Sequence, residues 1–212
     1  MDSRSRATEK QAMKHEISTA LRMTAITLVV TGLLYPLAVT GVASAMFPAQ
    51  ARGSLIRSGG RVVGSALIGQ RFDHPAYFQG RPSAAGGSGY DAAGSTGSNL
   101  GPTSKALRER VVAEIARLKR DNPGAPGSVP IELVTTSGSG LDPDLSPAAA
   151  RWQIPRIAHR RNLDPAELEA LVARRTQPRS LGLLGEPRVN VLQLNLELDR
   201  QFGPPPAGLS TP

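Results

Sequence analysis

From Met23 to Ala51 the chain runs 29 residues without a charged side chain, bounded by Arg22 and Arg52. No other stretch is both long and apolar enough to cross a bilayer. About 20 helical residues at ~1.5 Å each span the ~30 Å hydrocarbon core, so Thr24–Met46 suffices with some tilt. A helix satisfies its own backbone groups, which lipid cannot do. The expected organisation is an N-terminal segment over 1–22, a transmembrane helix over 23–46, one α+β domain over 47–202 and a disordered tail over 203–212. A cleaved signal peptide is the rival reading. A basic segment precedes the run, and Ala43-Ser44-Ala45 suits a small-x-small cleavage site. The apolar region Ala25–Ala45 exceeds the about 7–15 residues of a signal's apolar region, which favours an uncleaved anchor.

The anchor has one side of small residues. Thr24, Thr27, Thr31, Leu34, Ala38, Gly41 and Ala45 step by three and four, and all but Leu34 are small. Small residues let helix backbones approach closely, and hydroxyls can bond across the contact, so this side reads as a seam for a partner helix. The bland alternative, that small residues are common in membrane helices, stays open. Pro36 sits mid-span and predicts a kink. Lys/Arg residues are somewhat denser before the span (Arg4, Arg6, Lys10, Lys14, Arg22) than after it (Arg52, Arg57, Arg61, Arg71), which favours a cytoplasmic N-terminus.

About 165 residues follow, enough for one domain with its own core. They carry a surplus of positive charge that is scattered except on the 105–120 helix and at Arg160-Arg161 and Arg174-Arg175. Aromatic residues make up 4% of the chain, so a base-stacking platform for nucleic acid is not supported, and a surface of ordinary solvated charge, biased toward membrane headgroups, fits better. Cysteine is absent and the three histidines are dispersed, so no zinc ligand set exists.

Alternation around Val62, Val63, Leu67 and Ile68 predicts a strand or hairpin over 61–70. Residues 72–82 are turn-rich, and 84–102 read as a long Gly/Ser/Ala loop. Thr103–Arg120 reads as a helix with the apolar stripe Leu107, Val111, Ile115, Leu118, stopped by Asn122-Pro123-Gly124. Pro130–Thr136 reads as a strand. Ser146-Pro147 starts a helix that Pro155 interrupts, and Asp164-Pro165 starts another that ends near Arg174. Val189–Leu198 changes parity at 191–192, as a bulged strand or as a strand running into a terminal helix.

No reaction centre emerges. The glycine-rich 86–101 stretch lacks GxxxxGK[ST], and Lys105 falls inside the next helix. No GxSxG elbow occurs. Asp142 and Asp144 form a lone DxD beside prolines, a turn and helix-entry device more often than a cation site. His159 reads as a surface side chain and Trp152 as packing.

An anchored domain without a reaction centre suggests an accessory subunit, and three blocks carry a resemblance. They are YFQGRPSA (Tyr77–Ala84) with SNLGPTS (Ser98–Ser104), SGSGLDPDLSPAAARWQIPRIAHRRNL (Ser137–Leu163), and LGEPRVNVLQLNLELD (Leu184–Asp199). With the N-terminal helix they resemble the KdpC family, small single-span subunits of the bacterial potassium-transporting Kdp ATPase. The family's motif positions here are Tyr77, Arg81, Pro82, Ser83, Ser98, Asn99, Asp142, Arg156, Arg188, Asn190 and Asn195. The resemblance implies an inner-membrane protein with its main domain extracytoplasmic and no enzyme activity of its own. It implies three partners: a pore-forming potassium-channel-like subunit, a P-type ATPase subunit and a small single-helix subunit. ATP and potassium would be handled by the complex, and this chain would need no cofactor. It implies a role in assembly and in raising the ATP affinity of the pump subunit, as a catalytic chaperone. Gln153, with Ser137, Gly138, Ser139 and Gly140, is the block tied to that role.

That implication meets a physical difficulty, because the domain would lie outside while ATP lies inside. One resolution lets the anchor's seam bias the partners' conformations and so change ATP affinity by linkage. Another makes the domain a lid over the outer pore mouth, with Asp142 and Asp144 as a local cation funnel. The chain departs from the family in residues 1–12, before a family-like start at Met13-Lys14, and in its proline-rich tail. A stand-alone anchored or secreted binding domain is the alternative of a different class.

Overall fold

The computed structural model describes residues 3–205. Of the tail expected to be disordered, 203–212, residues 206–212 lie outside the described residues. The chain divides into two units with the boundary between Ser54 and Leu55.

The first unit is the anchor. Helix α1 covers Ser3–Val29, a π-type turn covers Val30–Leu34, and α2 continues over Tyr35–Met46. Within it, Gln11–Met46 is long and apolar enough to cross a membrane, and none of its residues is buried within the structure. A short helix α3, Pro48–Ala51, follows. Pro36 explains the π turn. Its nitrogen has no proton to donate, and its ring crowds the carbonyl four residues back. The turn widens instead of breaking, and the Tyr35 N–H reaches the Val30 carbonyl, five residues back. At Pro36, where a kink was expected, the helix takes up one extra residue.

That extra residue alters the seam. At 3.6 residues per turn, one inserted residue rotates everything beyond it by about 100°. Thr24, Thr27 and Thr31 lie before the turn, while Ala38, Gly41 and Ala45 lie beyond it. The single stripe expected from sequence therefore becomes two patches on different sides of the helix. The Thr31 hydroxyl also donates to its own helix, at the Thr27 carbonyl (2.7 Å), which spends its proton.

The second unit is a helical domain with two small antiparallel strand pairs. Strands β1 (Leu55–Ser58) and β2 (Arg61–Ser65) form a hairpin whose two-residue turn is Gly59-Gly60. Both glycines have positive φ, +55° and +79°, as tight hairpins require. The strand expected around Val62 exists, but it pairs backward with 55–58 rather than running on to Gln70. Residues 66–104 contain no regular element.

Helix α4 (Lys105–Asp121) starts at Ser104, whose hydroxyl accepts from the Leu107 N–H (3.3 Å). The strand expected over 130–136 is instead a 3₁₀ turn, Ile131–Leu133. One local bond and one reaching 14 residues along the chain account for this. The Thr135 hydroxyl donates to the Ile131 carbonyl (2.8 Å), and the Glu132 carboxylate accepts from the Ser146 N–H (2.9 Å). The first favours a turn over a ladder, and the second ties that turn to the start of the helix at Ser146.

Strand β3 (Asp144–Leu145) pairs with β4 (Val189–Asn190). Helices α5 (Pro147–Trp152) and α6 (Ile154–Arg161) are separated at Gln153, where Pro155 supplies no donor. Asn162 ends α6 in the left-handed region, and Asp164 caps α7 (Pro165–Arg175) by accepting from Ala166 N–H (2.9 Å). Asn190 caps α8 (Val191–Phe202), so the parity change at 191–192 is a strand becoming a helix. The core joins Phe78, Leu145, Trp152, Ile157, Leu168, Leu171, Leu194 and Leu198.

Candidate functional site

The irregular segment 75–79 passes through the core without a strand beside it. Buried backbone groups still need partners. Polar side chains from α6, α8 and the α5–α6 break provide them. Asn195 reads both ends of Phe78, accepting from its N–H and donating to its carbonyl, each at 2.9 Å. Gln153 does the same for Gln79, at 2.9 and 3.0 Å. Its remaining capacity goes to Arg156 (2.9 Å) and the Ala149 carbonyl (3.4 Å). Arg156 donates to the carbonyls of Pro75 and Tyr77. Arg161 donates to the Ala76 carbonyl (2.8 Å) and pairs with Asp199 (2.7 Å). The Tyr77 hydroxyl donates to the same carboxylate (2.6 Å), and the Arg161 guanidinium lies 4.8 Å from the Tyr77 ring centre. Together these side chains clamp the main chain from Pro75 to Gln79.

Burial shifts the clamp's titrations. Tyr77 is pushed up to about 12, by desolvation first and then by its bond to Asp199. Arg156 is pulled down to about 10, because burial penalises its charge.

A second cluster fixes the glycine-rich loops. Arg81 pairs with Asp142 (3.2 Å) and donates to the carbonyls of Thr135 and Thr136. The Ser83 hydroxyl donates to the Gly140 carbonyl and accepts from the N–H groups of Ala85 and Tyr90. Gly140 has φ +68°, and a Cβ there would lie 2.4 Å from the Thr96 carbonyl oxygen. Asp144 pairs with Arg188 (3.2 Å) and accepts from Asn190 (3.2 Å); burial raises its pKa. Both carboxylates of the DxD are therefore engaged by arginine.

Between α4 and the clamp lies an open cleft of ≈ 630 Å³. Its lining includes Arg71, Arg81, Arg110, Arg117, Arg156 and Arg160 against Asp73, Glu114 and Asp121. Arg117 pairs with Glu114 and Asp121, and Arg81 with Asp142. Among the described residues, no ion pair engages Arg71, Arg110, Arg156 or Arg160. Arg110 buries Nε and Nη2 without a hydrogen-bond partner. Such a lining suits an anionic group. The described residues contain no cluster of three or more potential metal-binding side chains.

The structure gathers Tyr77, Arg81, Pro82, Ser83, Asp142, Gln153, Arg156 and Asn195 around the clamp and cleft. Arg188 and Asn190 sit at the adjacent strand pair. Ser98 is half-buried and Asn99 exposed, in the loop before α4, and neither lines the cleft. Ser139 accepts from Leu141 N–H (3.1 Å), while Gly138 has open space around it. Trp152 is buried, as packing requires. Gln79, Arg110, Arg161 and Asp199 were not singled out from sequence. Arg161 stood in a visible Arg-Arg pair, but only burial separates it from its exposed neighbour Arg160.

The family model described as "KdpC: K+-transporting ATPase, c chain" matches residues 17–200. A "Potassium-transporting ATPase KdpC subunit" of Myxococcus xanthus is 61% identical over 189 residues, 89% of this chain and 89% of that protein. Proteins of the same description in Methylorubrum extorquens and Gemmatimonas aurantiaca are 57% and 56% identical. They cover 88% of this chain in both cases, and 97% and 94% of their own lengths.

Proposed function

This chain belongs to the KdpC family, and from that premise we propose that it is a non-catalytic, single-span subunit of an ATP-driven potassium uptake complex. In this reading it sits in a bacterial inner membrane with its N-terminus cytoplasmic and its main domain outside. It assembles with a pore-forming subunit, a P-type ATPase subunit and a small single-helix subunit, and it raises the ATP affinity of the pump. The observation that carries the reading is the family match running unbroken across both the apolar helix and the outer domain.

Gln153 enters this reading as a positioning residue. All four of its amide bonds are spent within the chain, two of them on Gln79. Its influence on ATP affinity therefore passes through the clamped segment and the partner surface that segment supports, by linkage between conformations. A direct phosphate contact would instead fall to Arg110 and Arg160 of the cleft.

The test is apparent ATP affinity of the purified complex carrying Gln153→Leu or Arg110→Ala. Linkage predicts a loss of about 5-fold or more for Gln153→Leu, with faster proteolysis near Gln79, and no change for Arg110→Ala. The reverse pattern identifies direct contact. No change in either, with the complex intact, removes the ATP-affinity role from this domain. Failure of the wild-type chain to co-purify with ATPase subunits removes the subunit reading.

A further inference from the structure

The segment 177–188 leaves the domain as a narrow hairpin. It is pinned by two antiparallel bridges, Gln177 with Arg188 and Ser180 with Leu184. Its tip holds Leu181, Leu183 and Leu184, which are 90%, 82% and 62% exposed. No described residue covers them. Clustered exposed leucines on a structured loop mark a binding surface rather than ordinary surface scatter. The tip is also preformed: Leu181, Gly182 and Gly185 take φ +54°, +75° and +77°, and the Ser180–Leu184 bridge closes the turn. A finger already ordered when free loses little conformational freedom on docking.

The stem's charges decide what kind of surface it meets. Arg179 donates from Nη2 to both carboxylate oxygens of Glu186 (2.8 and 2.7 Å). Arg188 is held by Asp144 (3.2 Å). The stem thus presents no free cation to an anionic headgroup, and no Trp or Tyr occurs within it to sit at a lipid interface. An apolar tip above an internally neutralised collar complements an apolar socket in an uncharged protein surface.

We propose that the Leu181–Leu184 tip is a docking finger that inserts into an apolar, uncharged pocket of another subunit of the ATPase. The proposal rests on the subunit reading above and adds where contact is made and by what chemistry.

The chain has no cysteine, so Leu183→Cys gives a single labelling site. The full-length chain carries a polarity-sensitive fluorophore there and is measured alone in detergent, in phosphatidylethanolamine/phosphatidylglycerol vesicles, and in the co-purified complex. A blue shift confined to the complex is expected. A blue shift in vesicles alone assigns the tip to lipid and overturns the proposal. A concentration-dependent shift of the chain alone assigns it to a second copy, with the same consequence. A solvent-exposed label in an intact complex overturns the finger and leaves the subunit reading standing, whereas absence of any complex overturns both. In parallel, Leu181→Asp/Leu183→Asp should lower recovery of the other subunits at least 10-fold, and Leu181→Met/Leu183→Met should retain it. Because these side chains are exposed, thermal unfolding of the isolated full-length chain should be the same for both variants. Normal recovery with the aspartates would refute the finger.

Discussion

Tyr77 ties the domain's stability to alkaline pH. Its phenol is neutral when it donates to Asp199, and burial with that bond raises its pKa to about 12 from an ordinary 10.0. Between those values the unfolded chain has released this proton and the folded chain has kept it. Stability therefore falls as pH rises through that window, and the contribution is fully present below it. Tyr77→Phe should flatten the fall between pH 10 and 12, read as the pH dependence of the thermal midpoint. An unchanged slope would show that Tyr77 does not titrate late. The same residue shows the reach of sequence at this scale. Tyr77 stood in a recognisable block, but its partners Asp199 and Arg161 lie 122 and 84 positions away, with no local pattern linking them.

Elements whose stabilising bonds are local were legible. The Asp164-Pro165 start of α7 and the Ser146-Pro147 start of α5 follow from capping chemistry confined to three or four residues. The 130–136 segment was misread because its apolar run fits a strand, while the Thr135 bond favours a turn and the Glu132 bond ties that turn to Ser146. The irregular course of 72–82 and 84–102 was legible from their turn residues, but what orders it was not, because its partners are distant, such as Arg81 to Asp142 and Ser83 to Gly140. The cleft shared this fate, since α4, the 71–83 loop and α6 meet only in the fold. Gly140 tests the loop element directly. Ala at this position would meet the Thr96 carbonyl oxygen at 2.4 Å and the Ala85 nitrogen at 2.8 Å, at φ +68°. Both obstacles are backbone, so Gly140→Ala should cost about 3–5 kcal/mol and expose the 84–102 loop to protease. Wild-type melting and proteolysis would show that the loop can shift at little cost.

At the scale of the molecule, every buried side chain among the described residues lies in the second unit, from Ser65 to Leu198. A chain starting at Phe47 should therefore fold and melt cooperatively in water, with the Tyr77 titration unchanged. Aggregation of that fragment in a molten state would show that the anchor contributes to the fold itself. The clamp has a different kind of consequence, for how such a chain can change over time. Helices α6 and α8 and the break before α6 grip the 75–79 segment by its peptide groups. Four gripping positions, Gln153, Arg156, Arg161 and Asn195, are therefore locked in chemical identity. The gripped segment has freedom wherever its side chains leave the core, as at Pro75 and Gln79. Its outward positions can thus be rewritten to suit a new neighbour while the machinery that holds the segment stays fixed.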